Sequence, residues 1–90
     1  MEVIYTPQAV EDLKYWKKSG NKVVQKKIQQ LIVAIMESPF EGIGKPEPLK
    51  HELTGSCSRR ITQEHRLVYE VHEKDTSTIL EIQSLRGHYK

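Results

Sequence analysis

The sequence predicts an α+β protein in which two antiparallel N-terminal helices pack on one face of an antiparallel sheet of four to five strands. Between about Pro7 and Glu37 apolar residues recur at spacings of three and four, the period of a helix with one buried side. From about Ser58 onward they recur at two, the period of a half-buried strand. The order strand, helix, helix, then strands joined by short turns leaves the second face of the sheet open for ligands.

Taken in order, Glu2-Val3-Ile4-Tyr5 reads as a short strand, and Thr6-Pro7 as an N-cap followed by proline at the first helical position. Val10, Leu13 and Trp16 then repeat at three-residue spacing, predicting a helix from Pro7 to Ser19 that stops at Ser19-Gly20-Asn21. Val24, Ile28, Leu31 and Ile35 step by four, three and four, with Ile32 and Met36 widening the stripe, so a second helix runs from Lys22 to Glu37. Between Pro39 and Pro48 stand three of the four prolines and two of the five glycines, a composition that excludes regular structure and predicts a stiff loop. Beyond it Leu67, Tyr69 and Val71 alternate with Arg66, Val68, Glu70 and His72 as a strand with one buried side. Ser58 to Thr62 and Thr78 to Gln83 read likewise, with Gln63-Glu64-His65 and Glu73 to Ser77 as connections and a weaker strand signal near Lys50 to Leu53.

The 90 residues fit one domain, 1–90. With 37% hydrophobic residues, 29% charged residues and a mean hydropathy of -0.60, the chain is too polar to span a membrane and too apolar for a disordered tail. No membrane partner is expected, and the acidic residues near the start leave no apolar export signal. The lone Cys57 excludes an internal disulfide and suits a reducing cytoplasm. A net charge of +2 is too small to identify a nucleic-acid partner by itself, yet Lys14, Lys17, Lys18, Lys22, Lys26 and Lys27 lie in a stretch with no acid. The ordinary reading of such a patch is a solvated helix face.

Strand alternation turns Arg66 away from Leu67, Tyr69 and Val71, onto the open face, and Arg60 can reach that face from the neighbouring strand. Glu47 sits between Pro46 and Pro48, which restrict its backbone, and His88 lies near the end. These are candidate parts of an acid–base site, although a loop glutamate or a terminal histidine alone is ordinarily a surface group. Gly42-Ile43-Gly44 leads into prolines rather than opening a helix, so it is no phosphate-binding loop. The four histidines show no metal-ligand spacing, and Cys57 has no identifiable base and reads as a buried, inert thiol. Neither a metal nor another cofactor is expected.

One block is more specific. Pro39-Phe40-Glu41-Gly42, Gly44 to His51, Leu53, Gly55, Ser58 to Thr62 and Glu64 to Tyr69, together with Tyr15-Trp16 and His88-Tyr89, resemble the YoeB/Txe branch of the RelE-like toxins. The resemblance implies a microbial-ribonuclease-like fold and a small bacterial toxin of a type II toxin–antitoxin module, which cuts mRNA in the ribosomal A site. Matched position by position, it implies Glu47 as general base, Arg66 as the phosphate-contacting arginine and His88 as general acid. Tyr89 matches the tyrosine stacked near the substrate, and Lys50 and Arg60 match basic residues lining the site. Implied partners are mRNA and the 70S ribosome with its ribosomal RNA, and a YefM/Axe-type antitoxin, through which operator DNA is contacted indirectly. Relatives occur as homodimers, though nothing in this chain by itself demands one. Cys57 departs from the family by replacing a common aromatic, and Lys90 extends a chain that often ends at the His-Tyr pair.

Those residue types suit RNA cleavage. A carboxylate takes the proton of the 2'-hydroxyl, a guanidinium fork bears charge on the five-coordinate phosphate, and an imidazolium protonates the departing 5'-oxygen. The expected product is a 2',3'-cyclic phosphate, and DNA, lacking the 2'-hydroxyl, is inert. Two other outcomes fit the same fold: a non-enzymatic ParE-like toxin, and an inactive homologue acting only as an antitoxin-bound co-repressor.

Overall fold

The computed structural model describes residues 1–49 and 55–87. Its elements are β1 (Glu2–Tyr5), α1 (Pro7–Ser19), α2 (Lys22–Glu37), β2 (Glu47–Pro48), β3 (Cys57–Arg60), β4 (Arg66–Lys74) and β5 (Ser77–Ser84). They form two helices on a five-stranded sheet of order β1-β5-β4-β3-β2. The strand expected near Lys50 to Leu53 lies outside the described residues, as do Lys50, His88 and Tyr89.

Both helices begin and end where local chemistry dictates. Thr6 Oγ1 accepts from the Ala9 amide at 3.2 Å, a cap typically contributing about 1 kcal/mol. Gly20, in the left-handed region at φ 75°, closes α1. Asn21 Oδ1 accepts from the Val24 amide at 3.0 Å to start α2. Val24, Ile28, Leu31 and Ile35 are buried as their spacing predicts. In α1 the buried side is Ala9, Asp12 and Trp16, with Leu13 packed beside the core, whereas Val10 is exposed. Of the expected stripe Trp16 and Leu13 face the core and Val10 does not, because 3.6 residues per turn favours Ala9, Asp12 and Trp16 on a common side.

Two features of the sheet differ from expectation. β1 pairs with β5 in parallel, so the sheet is mixed rather than wholly antiparallel, while β2 to β5 are antiparallel neighbours. Its partner lies at the far end of the sequence, and no turn between them constrains direction. Thr6 secures the junction, donating from N to Ile82 O at 3.0 Å and from Oγ1 to Gln83 O at 2.9 Å. The stiff loop also ends in regular structure: Glu47 and Pro48 pair with Ser58 and Cys57, which proline permits on an edge strand.

The core lies between helices and sheet, where Leu31, Ile35, Leu67, Tyr69, Leu80, Ile82 and Leu85 are fully buried. The β4–β5 hairpin turns at Asp75, whose φ of 54° suits a tight two-residue connection. Gly44 carries a φ of 83°, and a Cβ there would meet Leu31 Cδ2 at 2.7 Å, so the loop folds tightly against α2 only because this residue has no side chain.

Candidate functional site

β2, β3 and β4 converge on the sheet face opposite the helices. Glu47 stands across from Ser58, and Arg60 across from Arg66; alternation sends all four side chains to the same face. Arg66 Nη2 lies 3.7 Å from Glu47 Oε2. Arg66 Nε donates to Ser58 Oγ at 2.9 Å, and Nη2 donates to the Lys45 carbonyl at 3.2 Å. The Arg66 side chain is 12% exposed and that of Glu47 67% exposed, so a fixed guanidinium stands beside a carboxylate that reaches solvent. Ser58 and Val68 form a buried floor, and Arg60 is exposed at the rim.

The loop is moulded to this patch by backbone contacts. Lys45 adopts a φ of 50°, a left-handed conformation that costs a non-glycine residue about 1 kcal/mol and accompanies the turn of its carbonyl toward Arg66. The Arg60 amide donates to Gly44 O at 2.6 Å. On the other side, the Arg66 amide donates to the carbonyl of Gly87 at 2.8 Å. The residue preceding His88 is thus tied directly to the backbone of Arg66.

Of the six residues singled out from the sequence, the structure brings Glu47, Arg60 and Arg66 together; Lys50, His88 and Tyr89 are outside the described residues. Sequence reasoning missed the residue that holds the loop. Arg59 is fully buried on the core side. Its Nη2 donates to the carbonyls of Ser38 at 2.6 Å and Glu41 at 2.8 Å, and its Nη1 to that of Ile43 at 3.2 Å. Nε reaches Tyr69 Oη at 3.3 Å, and the Tyr69 hydroxyl donates to Pro39 O. A rigid planar fork with several donors can satisfy a glycine- and proline-rich loop whose carbonyls lack strand partners. Strand alternation, which puts Arg59 opposite Leu67, was the available signal.

Further along the open face, His72 Nε2 sits 3.1 Å from Glu70 Oε2 and 3.6 Å from Glu81 Oε1, while Gln83 Nε2 donates to Glu81 Oε1 at 2.9 Å. Sequence spacing concealed this grouping because Glu81 comes from the adjacent strand. The three ligand atoms lie within 4.8 Å of one another; on a face where His72 is exposed, the geometry is that of an imidazole shared by two carboxylates.

Burial pushes the half-buried Cys57 thiol above its ordinary value; neighbouring Arg59 opposes the shift and Glu70 adds to it. Burial raises the Tyr69 phenol likewise, against the hydrogen bond and charge of Arg59. Cys57 should therefore react with iodoacetamide at pH 7.5 more slowly than a short cysteine peptide, because the thiolate is the reactive form. The same shifts stabilise the folded protein below about pH 9 and cease to do so as pH rises further, since the unfolded thiol and phenol release their protons first. The urea midpoint should fall between pH 8 and pH 10.5, and less steeply in Cys57→Ala. An unchanged midpoint would contradict both assignments.

Residues 5–89 match the model of the YoeB-like toxin of bacterial type II toxin–antitoxin systems. The chain belongs to this family. It is 48% identical over 89 residues to Toxin YoeB of Escherichia coli K12, covering 99% of this chain and 100% of that one. It is 46% identical over 89 residues to Toxin YoeB of Streptomyces coelicolor, with the same coverage. Among solved structures, a YoeB/ParE toxin from Agrobacterium tumefaciens superposes with a TM-score of 0.93 at 39% identity, covering 99% of this chain and 100% of that one. YoeB in a YoeB–YefM complex from Staphylococcus aureus superposes at 0.84 with 46% identity, covering 99% and 98%. YafQ from E. coli, at 18% identity and a TM-score of 0.76, shares the fold. No helix among the described residues is long and apolar enough to cross a membrane.

Proposed function

We propose that this toxin is a ribosome-dependent endoribonuclease that cleaves mRNA in the ribosomal A site by general acid–base catalysis. The observation that carries the reading is the Glu47–Arg66 pair: a reaching carboxylate and a fixed guanidinium 3.7 Å apart on the helix-free face, with the chain leading into His88 bonded to Arg66 through Gly87. Glu47 accepts the 2'-hydroxyl proton, the 2'-oxygen attacks phosphorus, and Arg66 bears charge on the non-bridging oxygens. As the bond from phosphorus to the 5'-oxygen breaks, His88 supplies that oxygen with a proton. The products are a 2',3'-cyclic phosphate and a 5'-hydroxyl, with both protons then exchanged through solvent. Arg60, Lys50 and Tyr89 hold the RNA by charge and stacking. No step requires a metal, because each proton has a side chain to take or give it.

Primer extension on mRNA in programmed 70S ribosomes tests the reading, with wild type run beside Glu47→Gln and Arg66→Ala. Cutting by wild type that both substitutions remove is expected. Intact mRNA with wild type would overturn the nuclease and favour a ParE-like binder or an inactive co-repressor.

The lysines of α1 and α2 supply the ribosome contact in this reading. Lys14, Lys18, Lys22 and Lys26 are exposed along one basic stretch, and the weak Lys14–Glu11 pair, 3.7 Å apart with both side chains 71% exposed, neutralises little of it. Reversing these four charges should weaken sedimentation with ribosomes and flatten its salt dependence by about 0.7–0.9 in log–log slope for each phosphate that is no longer neutralised. Undiminished binding at low salt would leave the stretch a solvated face. In this reading the toxin acts in the cytoplasm and is silenced there by an antitoxin; the existence of YoeB–YefM complexes in S. aureus supports such a partner, and the S. aureus YoeB dimer supports a homodimer.

A further inference from the structure

We propose that Asp12, Trp16 and His65 are positioning residues that fix Leu85 to Gly87, the residues leading into His88, beside Arg66; the inference rests on the acid–base reading above. After β5 ends, the backbone of Leu85 is held by two side chains one turn apart on α1. Its amide donates to Asp12 Oδ2 at 2.8 Å, and its carbonyl accepts from Trp16 Nε1 at 2.8 Å. Both side chains are buried, Asp12 at 2% and Trp16 at 5% exposure. A buried carboxylate is costly unless its oxygens are occupied, and here Gln8 Nε2 donates to Oδ1 at 2.9 Å. One residue on, the Arg86 guanidinium lies 3.7 Å from the centroid of the Tyr15 ring, a favourable cation–π distance.

His65 completes the arrangement at Gly87. Its Nδ1 accepts from the Gly87 amide at 2.9 Å, and its ring meets Trp16 edge-on, with centroids 4.9 Å apart and planes at 86°. Gly87 has a φ of 79°, so the chain turns sharply just where His65 and Arg66 grip its two backbone groups. Three consecutive residues before His88 are thereby held by α1 and by the turn preceding β4. None of Asp12, Trp16 and His65 belongs to the Glu47–Arg66 patch. What they share is the stretch Leu85 to Gly87, whose last carbonyl accepts from the Arg66 amide, and a shift of about 1 Å in a reacting group can cost 10²-fold in rate.

The test is single-turnover cleavage on programmed ribosomes, using mRNA with the natural 5'-oxygen at the scissile bond and mRNA with sulfur in its place. A thiolate leaves without a proton, so only variants defective in the general acid recover on sulfur. Trp16→Phe removes the donor to Leu85 but keeps a ring, and His65→Phe removes the acceptor for Gly87 but keeps the ring facing Trp16. Both are expected to sediment with ribosomes as wild type does, to cleave the oxygen substrate about 10- to 100-fold more slowly, and to recover on sulfur. Asp12→Ala, which removes the acceptor for the Leu85 amide, should behave alike. His88→Ala is the control: normal cleavage of oxygen, or no recovery on sulfur, would overturn the acid–base reading itself. With His88→Ala behaving as expected, wild-type rates in the Trp16 and His65 variants, or equal slowing on both substrates, would overturn the positioning role. Should Trp16→Phe fail to fold, the His65 and Asp12 variants carry the same comparison.

Discussion

Arg66→Ala is expected to cut ribosome-dependent mRNA cleavage by about 10³-fold or more, the scale on which preorganised charges at a transferring phosphoryl group act, while the protein stays folded. Among the described residues the guanidinium has three partners on the open face: Ser58 Oγ, the Lys45 carbonyl and Glu47. Its removal leaves the buried Ser58 hydroxyl short of a donor, a loss of about 1–2 kcal/mol, well below the 5–15 kcal/mol typical of a small domain. Arg66→Lys should recover little, because a point charge cannot hold two phosphate oxygens and Ser58 together. Primer extension paired with thermal unfolding checks this. Cleavage by a folded Arg66→Ala protein within tenfold of wild type would remove Arg66 from the mechanism.

The largest effect on stability is expected at Arg59, which touches no part of the open face. Arg59→Ala would strip donors from the carbonyls of Ser38, Glu41 and Ile43 and from the Tyr69 hydroxyl at once, and would open a cavity in the core. Each buried acceptor left unpaired costs about 1–3 kcal/mol. Allowing for water that enters, a net loss of about 3–5 kcal/mol is reasonable. Urea unfolding measures it, and Arg59→Lys should restore only a minor part, since one ammonium cannot span carbonyls contributed by residues from 38 to 43. A loss below about 1 kcal/mol would show that the loop is held by its own prolines. The loop leads to Glu47, so partial loss of cleavage should accompany the instability.

How much of this was legible in the sequence depended on the distance over which each feature is decided. The start of each helix and the end of α1 were legible because Thr6-Pro7, Gly20 and Asn21 act on their immediate neighbours. The strand from Arg66 and the strand over Thr78 to Gln83 announced themselves by alternation, but Glu73, Lys74 and Ser77, read as connection, belong to the two strands because the hairpin turn takes only two residues. The direction of β1 did not announce itself, for its partner is decided by packing across the whole chain. At the site, alternation placed Arg66 and Arg60 on the open face, and the family likeness marked Glu47. The side chains that hold the surroundings in place were given no role by either, although Trp16, Arg59 and His65 fall within the blocks that carry the likeness. Asp12 and Arg59 are charged residues on core-facing positions, a pattern that composition-based reading assigns to solvent. Only the backbone groups they serve, at Leu85 and in the Ser38 to Ile43 loop, explain them.

The parallel ladder between β1 and β5 joins the earliest strand to the last one. Such a ladder closes a long chain loop before any of its hydrogen bonds can repay the entropy, which slows folding relative to the local pairing of α1 with α2. Until Ser77–Ser84 has been synthesised, Glu2–Tyr5 has no ladder partner, and before Leu85 exists Asp12 and Trp16 lack theirs. A nascent fragment that stops short of Leu85 can thus complete neither this sheet edge nor the hydrogen bonds of Asp12 and Trp16 to that residue.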